Sequence, residues 1–247
     1  MYIVDDGIKL DAVLDMPSGN PEKCPIVIII HGISGNKDER HLVEMSGMLL
    51  ENGFATLRVD MYGHGKSEGT FYDHTYFKWM TNGMKVIDYV RGLDFVTDIY
   101  LCGHSQGGVT VMLLAALKHE YIKGLIALSP SAMRPEQARE GLFFGNKFDP
   151  ESIPEEFTLW ENRKISGNYV RVSQTIHVED AIDKYKGPVL IVVGTDDSPE
   201  LFESTRVSAE RYVNCRYVPI EGDTHCYDNH LDLVVKAVHD WMTYQTS

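Results

Sequence analysis

The pentapeptide Gly103-His104-Ser105-Gln106-Gly107 is the stretch of this 247-residue chain best suited to covalent chemistry. It follows the apolar run Ile99-Tyr100-Leu101-Cys102 and leads into Gly108-Val109-Thr110, a strand, a sharp turn and a helix. A serine in such a turn needs neighbours without a Cβ, because side chains at Gly103 and Gly107 would collide with backbone. The turn lifts the hydroxyl clear of the sheet and aims a helix N-terminus at it, where free N–H groups favour developing negative charge. These features suit nucleophilic attack on a carbonyl carbon, with Ser105 as the nucleophile.

A serine hydroxyl attacks only when a base removes its proton, and the base needs a third group to fix its tautomer. With this kind of elbow the partners follow in the order serine, acid, histidine. The apolar run Val189–Val193 opens onto Gly194-Thr195-Asp196-Asp197, where two carboxylates compete. The G-x-x-D spacing common among hydrolases of this layout selects Asp197 and leaves Asp196 as a solvated or loop-capping residue. Further on, Gly222-Asp223-Thr224-His225 precedes the last helical run, and G-x-x-H spacing selects His225 as the base. His230 is expected at the start of that helix and His239 on its exposed side. Cys226, Asp228 and His230 match no tight ligand pattern, so no metal and no other cofactor is expected. The oxyanion needs two preorganised N–H donors. The backbone of Gln106 is one, and the backbone of Ile33, within His31-Gly32-Ile33-Ser34-Gly35, is the other. Asp60-Met-Tyr-Gly-His-Gly-Lys-Ser67 is expected to shape a turn near the site.

Positioning these residues requires a layered scaffold. Ile26–Ile30, Leu125–Leu128 and Val189–Val193 are apolar throughout, as strands covered on both faces should be. Ala55–Val59 and Ile99–Cys102 fit the same role. Helical patterns lie between them, at 40–52, 76–93, 109–119, 201–212 and 231–244. The alternation predicts a mainly parallel central sheet flanked by helices, preceded by an antiparallel hairpin within 3–16. Residues 131–183 break the rhythm with Pro135, Pro150, Pro154 and several glycines. An insertion this long between core strands is expected to be functional, and its aromatic residues suit a cap over the site. The predicted organisation is a core of 1–130 and 184–247 with a lid of 131–183.

Bulk properties narrow the field of partners. The formal charge is −13, from 36 acidic against 23 basic residues, which disfavours nucleic acid and anionic membrane surfaces. The four cysteines form no C-x-x-C pair and suit free thiols in a reducing compartment. The first residues lack a basic segment followed by an apolar run, so no signal peptide is expected. The longest apolar run is too short to span a bilayer. A cytoplasmic protein acting on a small molecule is the expectation, with no oligomeric state implied.

The elbow, acid loop and histidine loop together resemble those of the α/β-hydrolases. More narrowly, the chain is similar to the bacterial cinnamoyl (feruloyl) esterases nearly end to end. The stretches carrying this are Tyr2–Asp11, Asp60–Ser67, Gly103–Gly108, Asn168–Val172 and Gly222–Asp228. The resemblance implies an α/β-hydrolase fold with an insertion lid. It also implies Ser105, Asp197 and His225 as catalytic triad, and Ile33 and Gln106 as oxyanion donors. The implied reaction is cleavage of aryl-propenoic esters through an acyl-enzyme. Trp160 and Tyr169, within the lid, are candidates for contacting the aromatic acyl group, or else pack the lid's own core. Two departures stand out: Ile33 replaces a frequent aromatic residue, and Asp197 is followed by Ser198-Pro199-Glu200 rather than a Val-Pro pair. A short-chain carboxylesterase or monoacylglycerol lipase with the same triad is the alternative enzyme. A non-catalytic binding protein on the same fold would be expected to lack a triad member, and none is missing.

Overall fold

The structure, a computed structural model, describes residues 1–246. The chain opens with a hairpin of β1 (Tyr2–Asp5) and β2 (Ile8–Asp15), turned by Asp6 and Gly7. Both turn residues have positive φ, 46° and 80°, as a tight two-residue hairpin turn requires. There follow β3 (Cys24–Ile30), α1 (Arg40–Glu51), β4 (Ala55–Val59), α2 (Tyr76–Arg91), β5 (Val96–His104), α3 (Gln106–Leu117) and β6 (Ile122–Leu128). The segment after β6 contains α4 (Arg134–Arg139), β7 (Leu142–Phe143), β8 (Asn146–Lys147), β9 (Glu156–Thr158) and β10 (Lys164–Ser166). It continues through α5 (Gly167–Ser173) and α6 (Val178–Lys184). The core resumes with β11 (Val189–Gly194), α7 (Pro199–Arg211), β12 (Cys215–Ile220) and α8 (Leu231–Thr246).

Eight strands form one sheet in the order β1-β2-β4-β3-β5-β6-β11-β12, parallel from β4 to β12 and antiparallel at the hairpin edge. The period-two geometry of a strand sends alternate side chains to opposite faces. In β3, Ile26, Ile28 and Ile30 pack toward α2 and α3, whereas Val27 and Ile29 pack toward α1 and α8. Both faces are covered, which is why this strand has no polar residue from Ile26 onward. Helix α3 lies in the middle of one layer, with every residue from Gln106 to Ala116 buried.

Strand β12 is not among the strands expected from the sequence. It is an edge strand, half exposed, with Arg216 and Pro219 inside it. A proline is tolerated there because one side of an edge strand donates no ladder hydrogen bonds. The helix over 109–119 starts instead at Gln106, immediately after the nucleophile turn.

Two histidines beside the elbow make the fold sensitive to acid. His31 accepts a hydrogen bond at Nε2 from the Met61 amide (3.0 Å) while Nδ1 faces the Gly32 carbonyl (2.7 Å), a pattern only the neutral ring satisfies. Burial, with His64 nearby, lowers both His31 and His74 to about 3. In the unfolded chain each takes a proton below ~6.5. The unfolded state therefore binds more protons between ~6.5 and about 3, and stability falls as pH drops through that window. From pH 6.5 to 5 the pair is expected to cost about 3 kcal/mol. Glu39, raised to about 7 by burial, moves the other way and offsets part of it. Urea unfolding at the two pH values measures the net loss, and equal midpoints would contradict neutral burial of these rings.

Candidate active site

Ser105 occupies the turn between β5 and α3 with φ 54° and ψ −115°, a strained conformation for a residue with a side chain. The turn is held by the Ser105 amide, which donates to the Leu128 carbonyl at 2.9 Å, and by the Val109 amide donating to the Ser105 carbonyl at 3.1 Å. Its glycines are sterically required. A Cβ on Gly103 would lie 2.2 Å from the Gly107 carbonyl oxygen, and one on Gly107 would lie 2.4 Å from those of Ile30 and His31.

Asp197 and His225 meet across 28 residues of sequence. His225 Nδ1 lies 2.6 Å from Asp197 Oδ2, and the Asp197 side chain is only 5% exposed. Asp196 is exposed, and its amide donates to the Asp223 carbonyl at 2.9 Å. The acid loop and the histidine loop are laced together by that bond, by Thr195 N–H to the Ile220 carbonyl (2.9 Å), and by Gly222 N–H to Thr195 Oγ1 (2.8 Å). Buried Asp223 then pins the histidine loop, accepting from the amides of Thr224 and Asn229. The departure after Asp197 turns out to be a helix start. Ser198 caps α7 by accepting from the Leu201 amide, and Pro199 takes the first helical turn, where its missing N–H costs nothing. The Ser198 amide also donates to Asp197 Oδ1 at 2.7 Å, so both oxygens of this carboxylate are engaged.

Ser105, Asp197 and His225 line one cavity of about 250 Å³. Ile33 and Gln106 line it too, and Gln106 is the first residue of α3, so its amide has no helical carbonyl to bond. The ring nitrogens of His64 face the carbonyls of Tyr62 and Ile33, tying the Ile33 loop to the turn after β4. In the same loop buried Lys37 bonds Asp60 through both its amide (2.7 Å) and its ammonium (2.8 Å). The 60–67 segment thus fixes the loop that carries Ile33.

The wall opposite comes from the segment after β6. Tyr169 is 1% exposed and donates to Gln106 Oε1 at 2.8 Å. Trp160 is 38% exposed and meets Phe144 edge-on at 5.0 Å, while the Arg134 guanidinium lies 4.0 Å over the other partner in that pair, Phe144. Both residues singled out from the sequence within 131–183 therefore face the cavity, Tyr169 as a wall packed on His74, Tyr76 and Phe143, Trp160 at its rim. His230 and His239 do not line it. Sequence reasoning missed Glu39, His64, His104 and Arg134 as residues at or beside the site. His64 and His104 carried a signal, in the Asp60–Ser67 motif and the Gly103–Gly107 pentapeptide; Glu39 and Arg134 depend on long-range packing.

Residues 21–155 match the family described as serine aminopeptidase, S33. The solved structure of Est1E from Butyrivibrio proteoclasticus with ferulic acid bound is 59% identical to the chain, with a TM-score of 0.98, covering 100% of this chain and 99% of that one. A putative esterase/lipase of Haemophilus influenzae is 29% identical over 133 residues, 52% of this chain. The monoglyceride lipase of Mus musculus is 31% identical over 124 residues, 49% of this chain. These two alignments span 44% and 40% of the relatives' own lengths.

Proposed function

Since the chain belongs to the serine aminopeptidase, S33 family of α/β-hydrolases, we propose that it is a serine carboxylic-ester hydrolase releasing hydroxycinnamic acids from their esters. The observation that carries the reading is the likeness to Est1E, whose structure holds ferulic acid, together with the hydrogen-bonded Asp197–His225 pair beside Ser105.

In the proposed reaction His225 takes the proton of Ser105 as the hydroxyl attacks the ester carbonyl. Asp197 holds the imidazole with Nδ1–H toward itself, leaving Nε2 to act as base, and stabilises the cation that forms. The amides of Ile33 and Gln106 receive the oxyanion. His225 then gives the proton to the leaving alcohol, and water repeats the cycle on the acyl-enzyme. No step calls on a cofactor. Segment 131–183 serves as the lid, with Trp160 and Tyr169 enclosing the aryl group. Four free cysteines support a reducing, cytoplasmic setting, and no helix among the described residues is long and apolar enough to cross a membrane.

The likeness to a monoglyceride lipase favours a second reading, a general short-chain or monoacylglycerol esterase using the same residues. Hydrolysis of ethyl ferulate and a butyrate ester, measured side by side, separates the two. Preference for ferulate is the expected result; preference for butyrate would move the assignment to the second reading. Trp160→Ala is expected to lower kcat/KM on ferulate about 3- to 10-fold and to leave butyrate nearly unchanged, since only the aryl group meets this rim. Equal losses on both esters would remove Trp160 from acyl recognition.

A further inference from the structure

Behind the histidine loop lies a cluster that the proposed reaction does not use. Glu39 precedes α1, His41 is in its first turn, and His104 sits on the elbow next to the nucleophile. The His41 and His104 rings meet edge-on at 4.4 Å, and the His104 ring is 4.8 Å from that of His225. One ligand-capable atom from each of Glu39, His41 and His104 lies within 4.8 Å of the other two. The two histidines are 4% and 3% exposed. Glu39 Oε2, His41 Nε2 and His104 Nδ1 are all buried without a hydrogen-bond partner among the described residues. Orphaned buried polar atoms are uncommon, and three on neighbouring side chains call for a shared occupant.

The chemistry of these atoms indicates the occupant's charge. His104 Nε2 is 2.8 Å from the His225 carbonyl oxygen, which can only accept, so Nε2 carries the ring proton and Nδ1 presents a lone pair. A carboxylate and two imidazoles form a ligand set suited to a borderline divalent cation. Metal-binding histidines commonly donate their second ring N–H to a backbone carbonyl, as His104 does here. Two glycines keep the space open: a Cβ on Gly35 would lie 2.1 Å from Glu39 Oε2, and one on Gly32 would lie 3.3 Å from His104 Nδ1.

We propose that Glu39, His41 and His104 form a binding site for one divalent transition-metal ion, reached from the active-site cavity past Glu39 and lying directly behind His225. Ligands around such an ion stand about 3.3 Å apart in a tetrahedral arrangement, so the cluster closes by roughly 1.5 Å on binding. Glu39 has the most freedom to move, because its side chain borders the cavity. The site is inhibitory. A double positive charge beside His225 opposes the imidazolium that the reaction must form, and turnover is expected to fall about tenfold or more when the site fills.

The test is equilibrium dialysis of chelator-treated protein against ZnCl2, with metal analysis, alongside visible d–d absorption of the Co2+-loaded protein. One ion per chain is expected, weakened at least tenfold in both Glu39→Gln and His41→Asn and retained in Cys226→Ser, each variant first shown folded by circular dichroism. Ester hydrolysis in the same titration should fall and recover with chelator. Absence of binding at millimolar Zn2+ would overturn the proposal and leave the cluster to a bridging water. So would binding unaffected by the first two substitutions, or lost in Cys226→Ser, which would place the ion on the exposed thiol. The binding measurement needs no ester hydrolysis, so it stands or falls apart from the enzymatic reading.

Discussion

Ser105→Ala is expected to reduce ester turnover by roughly 10⁴- to 10⁶-fold while leaving the protein folded. The hydroxyl is the only group at the elbow able to form the acyl-enzyme, and its removal takes away the covalent step rather than weakening it. Folding should survive because what holds the turn is backbone: the Ser105 amide on the Leu128 carbonyl and the Val109 amide on the Ser105 carbonyl. Alanine also tolerates the positive φ no worse than serine, neither having the freedom of glycine. The measurement is kcat on the preferred ester, paired with the thermal midpoint and with trapping of an acyl-enzyme by mass spectrometry in the wild type. A variant retaining a tenth of the activity would exclude Ser105 as nucleophile.

Asp197→Asn should lower kcat by about 10⁴-fold, and Asp196→Asn by little. The amide at 197 can turn its NH2 toward His225 Nδ1, which then becomes an acceptor. Nε2 must in turn carry the proton, and the imidazole can no longer take one from Ser105. This is a loss of tautomer, so KM should change far less than kcat. Asp196 is exposed, and its backbone, not its carboxylate, is what ties the loop to Asp223, so its substitution leaves the geometry intact. Comparable losses in the two variants would mean that the acid loop acts through its fold and not through one carboxylate. Ser198→Pro, which removes the amide bonded to Asp197 Oδ1, probes the same carboxylate from its other oxygen.

The strands through the centre of the sheet were legible where burial on both faces leaves only one kind of residue: Ile26–Ile30 of β3, Leu125–Leu128 of β6 and Val189–Val193 of β11 read as continuous apolar runs. β4 was located to the residue although it carries Thr56 and Arg58, which are buried with polar partners, Thr56 on Ser46 and Arg58 on the Lys37 carbonyl. β12 was not legible, since an edge strand needs to be neither apolar nor proline-free, yet it is the strand that delivers the loop carrying His225. Within 131–183, Pro and Gly marked an insertion but not its parts. Its strands are two or three residues long, and two of its short helices, α5 and α6, bury Tyr169 and Ile182 through contacts that no local pattern encodes.

The sequence by itself determined the elbow and the order of the residues around it. The turn itself forces Gly103, whose Cβ would meet the Gly107 carbonyl, and the G-x-x-D and G-x-x-H turns are equally local. Gly107 is forced from outside the turn, by the carbonyls of Ile30 and His31. The G-x-x-D spacing selected Asp197 over Asp196, but only the tertiary structure brought that carboxylate to His225, through the lacing of the 194–197 loop to the 220–225 loop. The tertiary structure alone brought Tyr169 onto Gln106, 63 residues away, and set the rings of His41, His104 and His225 side by side. Residue types at such separations are independent along the chain. They become neighbours only where sheet order and helix packing bring their elements together, and neither is written in any short window of sequence.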